Sequence, residues 1–251
     1  MTEQELLYAR FCELAEGCYT HSRYTYTPFL SLSEQDVFHR ASRDFSYVPF
    51  TLFGGAEGCE RVMVRFGDED TLGYPPPPFP IACLQLLLPN QKFAEPLTHR
   101  DCLGALLNLG VKRECLGDIF LSESGIYLFA EEKMAPFLCE SLTRVRHTAV
   151  SLAPAAPPAA IFSKTEEKTV TVASLRADGV IAHALSISRA ESEALFAACR
   201  VFVGGRVRED GARPLMPGDL VTVRGYGRFR FLAEKGQTRK GKIALTLAFY
   251  I

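Results

Sequence analysis

Residues 174–185 read Ser-Leu-Arg-Ala-Asp-Gly-Val-Ile-Ala-His-Ala-Leu, and the spacing of their apolar side chains predicts a helix. Ser188-Arg-Ala-Glu191 follows with the Ser-x-x-Glu pattern of a capping box, which predicts the start of a second helix. The residues expected to face inward are Ile181, Ala184 and Leu185 on the first helix and Ala194, Leu195 and Ala198 on the second.

The next part of the chain predicts strands that these two helices can cover. Val201-Phe-Val-Gly-Gly-Arg-Val207 places a Gly-Gly pair between two short β-prone segments, which is typical of a tight hairpin. Pro217-Gly-Asp219 then forms a turn ahead of a strand over 220–224. Two helices packed on a small sheet are the predicted result.

A further pair of strands is predicted at the end of the chain. Phe229 and Phe231 alternate with arginines, as in a half-buried strand, and apolar residues alternate again over 243–251 as its partner. Residues 235–242 form the predicted turn between them. We interpret Phe229 and Phe231 as core residues in preference to platforms for base stacking.

Four short motifs of this region stand in a recognisable order. Leu-Arg-x-Asp, Ser-Arg, Val-x-Val and Pro-Gly-Asp succeed one another between residues 172 and 224. Their order resembles the S-four RNA-binding domain, which is named for ribosomal small-subunit protein four. The resemblance implies an RNA-binding module over 164–251. It differs from the family pattern at Glu191 and Glu193, where lysines are usual, and at Cys199 or Arg200, where a glycine is usual.

Charge is distributed unevenly along the chain. Residues 1–163 hold 13 Lys/Arg against 20 Asp/Glu, whereas residues 164–251 hold 15 against 9. The stretch from Arg224 to Lys242 contains seven basic residues opposed only by Glu234. Basic charge gathered in one region favours a polyanion as partner, and a solvated basic face is the alternative.

Arginines and lysines of this region are therefore the candidate RNA contacts. Arg189 is predicted in the first turn of a helix, where free backbone N–H groups and the helix dipole favour a phosphate. Guanidinium groups also suit bidentate contact with phosphate oxygens. The full candidate set is Arg176, Arg189, Arg200, Arg206, Arg208, Arg224, Arg228, Arg230, Lys235, Arg239, Lys240 and Lys242.

The middle of the chain predicts a different module over 81–152. Strands are expected over 81–88, 116–121, 125–129 and 145–152, and helices from Thr98, with Leu103, Leu106 and Leu107 on one face, and over 131–142. This order suits a ferredoxin-like (RRM-like) α+β sandwich, although the paired stacking aromatics of RNA-recognition modules are not evident. Arg100, Lys112 and Arg113 cluster near the ends of one helix and are candidate auxiliary RNA contacts; ordinary surface charges are the alternative.

The first part of the chain, 1–74, is predicted to be mainly helical. An apolar stripe begins at Leu6 and a second helix is expected from Ser33. The glycines at 54, 55 and 58 are interpreted as turn residues. Proline-rich runs at 75–80 and 154–160 are predicted spacers that divide the chain into 1–74, 81–152 and 164–251.

Longer motifs extend the resemblance beyond the C-terminal module. Thr98-His-Arg-Asp-Cys-Leu-Gly-Ala-Leu-Leu-Asn-Leu-Gly-Val-Lys-Arg113, Leu116-Gly-Asp-Ile119, Leu142-Thr-Arg144 and Val223-Arg-Gly-Tyr-Gly-Arg-Phe229 together resemble the bacterial YlmH family. The resemblance implies binding to ribosomal RNA on the large ribosomal subunit, in association with peptidyl-tRNA. It also implies a role in rescue or quality control of stalled ribosomes.

Other classes of protein have little support in the sequence. The Gly-Arg-Leu-Asp run of a pseudouridine synthase and the strand-loop-helix glycines of a methyltransferase are missing, so we predict no catalytic residues. The eight cysteines form no Cys-x-x-Cys pair and the histidines have no metal-ligand spacing, so no metal or cofactor is expected. No apolar run suits a membrane span, and we expect a cytoplasmic monomer. The alternatives are an RNA-modifying enzyme and a protein-interaction scaffold related to cell division.

Overall fold

The computed structural model describes residues 2–89, 95–122, 125–157, 165–238 and 241–250. The chain has mixed α/β structure, with helices at its N-terminal end and antiparallel sheets throughout, which confirms the α+β class. Its two compact units are Met1–Ile161 and Phe162–Ile251. Among the described residues, no helix combines the length and the apolar character that crossing a membrane requires.

The first part of the first unit is a pair of helices packed on a three-stranded sheet of order β1-β3-β2. Its elements are α1 (Glu3–His21), β1 (Thr25–Tyr26), α2 (Leu32–Ala41), β2 (Phe50–Phe53), β3 (Met63–Phe66) and α3 (Glu69–Leu72). Helix α2 begins one residue before the predicted Ser33, because Ser31 caps it reciprocally with Glu34. The run at 75–80 is packed against this part, since the Pro77 carbonyl accepts a 3.3 Å hydrogen bond from the Tyr26 hydroxyl.

The remainder of the first unit is a four-stranded antiparallel sheet of order β5-β6-β4-β9 with two helices on one face. Its elements are β4 (Ile81–Leu87), α4 (His99–Asn108), β5 (Leu116–Ser122), β6 (Gly125–Glu131), α5 (Ala135–Ser141), β7 (Arg144–Val145), β8 (Thr148–Ala149) and β9 (Ser151–Pro154). The single strand predicted over 145–152 is wrong: the chain first makes the small β7–β8 hairpin and enters the sheet only at Ser151. Leu107 is exposed, because α4 turns Cys102 and Leu106 toward the sheet instead.

Both faces of this sheet are covered. Leu128 and Ala130 of β6 pack with the helices in one core. The alternate residues Tyr127 and Phe129 point to the opposite face, where they pack with Phe29 and Met63 from the N-terminal part. The face of the sheet opposite the helices is therefore buried around these two residues.

The second unit is a six-stranded antiparallel sheet of order β10-β15-β14-β13-β11-β12. Its elements are β10 (Thr165–Val172), α6 (Ala177–Leu185), α7 (Arg189–Ala197), β11 (Val201–Val203), β12 (Arg206–Val207), β13 (Leu220–Val223), β14 (Gly227–Gln237) and β15 (Ile243–Tyr250). The predicted helices and the Gly-Gly hairpin are present, whereas β10 was not predicted. Phe229 and Phe231 are fully buried against the helices, which confirms their interpretation as core residues.

Several details of the second unit differ from the expectation. Helix α7 buries Ser192, Leu195 and Phe196, so Ala194 and Ala198 face outward. Strand β14 continues through Gln237, so Lys235 lies in a strand and not in the predicted turn. Arg239, Lys240 and residues 158–160 of the predicted spacer lie outside the described residues.

Candidate nucleic-acid interface

Two arginines converge on one buried carboxylate at the start of the helices in the second unit. Asp178, in the first turn of α6, is 2% exposed and accepts hydrogen bonds from Nε and Nη2 of Arg176 at 3.2 and 2.5 Å. Nη2 of Arg189, the first residue of α7, lies 3.8 Å from the same carboxylate. The hydrogen bonds from Arg176, supported by the Gly179 N–H and the Arg189 charge, hold the pKa of Asp178 below its usual range despite burial.

This arrangement leaves both guanidinium groups open to solvent. The side chains of Arg176 and Arg189 are 44% and 64% exposed, although Asp178 accepts hydrogen bonds from Arg176 and lies within ion-pair distance of Arg189. Ser188 caps α7 by accepting the Glu191 N–H, and the Ser192 hydroxyl donates to the Asp178 carbonyl across the two helices. A phosphate at this position would meet two oriented arginines beside a helix N-terminus.

The segment after the hairpin brings the backbone of a third arginine to the start of α6. The Ala177 N–H donates to the Arg213 carbonyl at 3.2 Å and the Asp178 N–H to the Gly211 carbonyl at 3.0 Å, so residues 211–213 run beside the start of α6. The side chain of Arg213 is exposed. It was not singled out in the sequence, where it is an isolated arginine before a proline. We call Arg176, Arg189 and Arg213 the helix-end group.

The hairpin arginines differ from each other in exposure. Arg206 is exposed, whereas Arg208 is half-buried. Burial, followed by the nearby Arg213 charge, lowers the pKa of Arg208. Its Nη1 is buried and makes no hydrogen bond with any described residue. Arg208 is therefore a cation close to Arg213, with a donor that the described residues do not use.

The two glutamates on α7, Glu191 and Glu193, act on different residues. The Glu191 carboxylate accepts a 2.9 Å hydrogen bond from the Tyr226 hydroxyl. Glu193 acts on Arg176 only through its charge, as a minor contribution that raises the pKa of that arginine. The acidic residues therefore reduce the positive potential of the helix-end group without forming ion pairs with Arg189.

A second set of candidate residues lies on the opposite face of the same sheet. Because Phe229 and Phe231 face the helices, Arg228 and Arg230 point to the other side of β14. The Arg228 guanidinium lies 4.4 Å from the ring centre of Tyr250, and Nε of Arg230 donates to the Tyr250 hydroxyl at 3.3 Å. Together with Arg224, which lies over the Phe202 ring at 4.9 Å, we call Arg228 and Arg230 the sheet-face group.

The remaining predicted residues do not join either group. Arg200 donates from Nη2 to the Arg224 carbonyl at 2.6 Å and so closes the loop after β13. Lys235 reaches Thr169 on the edge strand at 3.4 Å, and Lys242 is exposed. The structure therefore places Arg176 and Arg189 on one face of the sheet and Arg224, Arg228 and Arg230 on the other, instead of along a single groove.

The three auxiliary candidates of the first unit also separate. Arg113 donates from Nη1 to the carbonyls of Leu116 and Gly117 at 2.7 and 3.1 Å, and its burial, with the nearby Arg61 charge, lowers its pKa to about 10. Lys112 is exposed and lies 3.6 Å from Glu114. Arg100 is exposed at the other end of α4, a helix about 15 Å long.

Comparison with known proteins agrees with an RNA-binding class. Residues 78–157 match a family model described as "Putative RNA-binding domain in YlmH". The resemblance to the YlmH family that the sequence motifs indicate is thereby confirmed over these residues. Within the described residues, no group of three or more His, Cys, Asp or Glu side chains is placed to hold a metal ion.

Two individual proteins resemble the chain over longer stretches. The ribosome-associated protein quality control protein P2 of Bacillus subtilis (strain 168) is 35% identical over 153 residues, which cover 59% of this chain and 58% of the relative. The solved structure of the cell division protein ylmH from Streptococcus pneumoniae is 20% identical, with a TM-score of 0.49 over 62% of this chain and 92% of that one. The chain thus spans less than two thirds of the length of the Bacillus relative.

Proposed function

We propose that this protein binds ribosomal RNA on the large ribosomal subunit, in contact with tRNA, and acts without catalysis in the rescue or quality control of stalled ribosomes. The observation that carries the proposal is the pair Arg176 and Arg189, held by the buried Asp178 carboxylate at a helix N-terminus. Its support beyond the geometry is the matched RNA-binding family model and the name of the Bacillus relative.

Fixing two guanidinium groups in advance favours recognition of a phosphate backbone. An unrestrained arginine loses side-chain entropy when it binds, about 0.5–1.5 kcal/mol for each immobilised long side chain. Asp178 restrains Arg176 before any ligand arrives, so less of that cost remains at binding. The remaining N–H donors point to solvent and match the geometry of phosphate oxygens.

The proposal includes a finer description of the fold. When its strands are numbered by their order along the chain, the middle sheet β5-β6-β4-β9 has the spatial order second-third-first-fourth. With α4 and α5 on one face, this order supports a ferredoxin-like module over 81–152. Two helices packed on the sheet of the second unit support an S-four-type module over 164–251. A mainly helical segment over 1–74 completes the proposed three-part organisation.

Binding of the whole chain to purified bacterial large ribosomal subunits tests this function. We expect wild-type protein to cosediment with the subunits at low salt and to lose affinity as salt rises, because phosphate contacts release counterions. The double variant Arg176→Ala and Arg189→Ala should bind at least tenfold more weakly. Arg10→Ala is the matched control, because that exposed arginine lies in the other unit and pairs only with Glu13 at 2.7 Å.

Two results would contradict the proposal. Wild-type protein that fails to cosediment at any salt concentration would exclude the ribosomal partner. A double variant that binds as well as Arg10→Ala would exclude the helix-end arginines as its RNA contacts.

A further inference from the structure

A groove of about 560 Å³ lies between α4 and the chain that leaves α5. Three arginines line it, namely Arg100 from α4 and Arg144 and Arg146 from the segment after α5. All three are exposed, and Asn108, Ser141 and Thr143 add uncharged polar side chains to its lining. The groove is therefore cationic and polar, on a different unit from the helix-end group.

Among the described residues, one acidic side chain lines this groove, and it caps a helix. Asp101 accepts the backbone N–H and the hydroxyl of Thr98 at 3.0 and 2.6 Å, which completes the N-terminal cap of α4. These hydrogen bonds are the main reason why the pKa of Asp101 lies below its usual value, and Arg146 at 3.7 Å contributes less. Three cations against one capped carboxylate leave a net positive charge.

The backbone at Arg146 has a conformation that residues with long side chains seldom adopt. Its φ is 53°, in the left-handed region that glycine and asparagine enter more readily than residues with long side chains. The turn between β7 and β8 would therefore be formed more easily with a glycine. An arginine kept in such a conformation at the rim of a cationic groove points to a ligand for its guanidinium.

The groove lies on the side of the middle sheet that carries α4 and α5. Helix α4 and the end of α5 form the layer on one face, while Tyr127 and Phe129 on the other face are buried against Phe29. Base stacking on the sheet, the usual mode of RNA-recognition modules, is thus blocked. Contact through arginines with the phosphate backbone needs no exposed sheet.

We infer that Arg100, Arg144 and Arg146 form a second RNA site, which grips the phosphate backbone of a double-helical rRNA segment. The inference rests on the proposed function and names the surface through which the first unit takes part in it. Of the auxiliary RNA contacts predicted from the sequence, the proposed site retains Arg100. Lys112 and Arg113 line a different pocket, and Arg144 and Arg146 take their place.

The salt dependence of binding to a labelled RNA hairpin with a duplex stem tests the site in the full-length protein. Each phosphate contact on a duplex contributes about 0.9 to the log–log salt slope. The triple variant Arg100→Ala, Arg144→Ala and Arg146→Ala should therefore lose roughly 2 to 3 from the slope and bind at least tenfold more weakly at low salt. Replacing the same three residues by lysine keeps the charges and should restore most of the slope.

Two single variants test whether a weaker salt slope comes from lost phosphate contacts or from a change of fold. Lys112→Ala removes one exposed charge from the same unit outside the groove and should leave the slope unchanged. Arg146→Gly suits the left-handed backbone, so it should keep or raise the melting temperature while the slope falls by about one.

The outcomes separate this inference from the proposed function. If the alanine triple variant binds the hairpin like wild type while Arg176→Ala with Arg189→Ala does not, the groove is not an RNA site and the proposed function stands. If wild-type protein binds neither the hairpin nor large subunits, both fail. A salt slope that falls as much in Lys112→Ala as in Arg146→Gly would also overturn the inference, because the loss would then reflect net charge alone.

Discussion

Nη2 of Arg176 lies 2.5 Å from Oδ2 of Asp178, so an exposed guanidinium is anchored to a carboxylate that is 2% exposed. The bond spans two residues at the beginning of α6, where the chain has just left the sheet. Asp178 also accepts the Gly179 N–H at 2.6 Å, which fixes the carboxylate itself. Stability of the second unit and orientation of its proposed RNA contact therefore depend on the same group.

Asp178 makes the stability of the second unit sensitive to acid. Its pKa is lower in the folded chain than in the unfolded chain, so its contribution is fully present above the unfolded value near 4. That contribution is lost as the pH falls through the lower folded pKa. Asp178→Asn should lose about 1–2 kcal/mol at neutral pH and show a flatter acid dependence, measured by urea unfolding followed by circular dichroism. An unchanged acid dependence in the variant would contradict this role.

Cys199 occupies the position after α7 that favours glycine. The Cys199 N–H donates to the Phe196 carbonyl and the Arg200 N–H to the Leu195 carbonyl, both at 3.0 Å, in a Schellman motif that requires a left-handed residue at Cys199. Its φ is 52°. Cys199→Gly should therefore stabilise the unit by about 1 kcal/mol in urea unfolding. Cys199→Ala is the control, because alanine retains the Cβ; equal stability of the two variants would refute the explanation.

The neighbouring residues Arg113 and Lys112 should differ in how much each contributes to stability. Arg113→Ala leaves the Gly117 carbonyl without the Nη1 donor, which costs about 1–3 kcal/mol, whereas the Leu116 carbonyl keeps its 2.8 Å hydrogen bond from Nε of Arg61. Lys112→Ala removes an exposed charge and should change stability by less than about 0.5 kcal/mol. Thermal melting measures both, and an Arg113→Ala protein as stable as Lys112→Ala would mean that these hydrogen bonds contribute little.

Local patterns predicted much of the second unit. The alternation at Phe229 and Phe231 gave the correct buried face, and the Gly-Gly hairpin has positive φ at Gly204 and Gly205, as the predicted tight turn requires. Strand β10 escaped prediction because its first residues, Thr165 to Lys168, are polar and exposed. What defines it as a strand is pairing with β15, far away in sequence.

Site residues were predictable where they belong to a motif and not where they are isolated. Arg176 and Arg189 stand within Leu-Arg-x-Asp and Ser-Arg, so the sequence singled them out. Arg146 and Arg213 belong to no motif, and only the tertiary structure brings them beside other arginines. The sequence did not show whether Cys199 or Arg200 replaces the usual glycine, because the type of side chain does not reveal which residue has a left-handed φ. The backbone conformation identifies Cys199.

The salt dependence of RNA binding by Arg189→Ala tests the central claim most directly. Ser188 still caps α7 and alanine is a good helix former, so the fold should be retained. The account predicts that the log–log slope for ribosomal RNA falls by roughly one unit, the loss of one phosphate contact. A wild-type slope for Arg189→Ala, with binding abolished by charge reversal at Arg239 and Lys240, would place the RNA on the C-terminal strands and contradict the helix-end site.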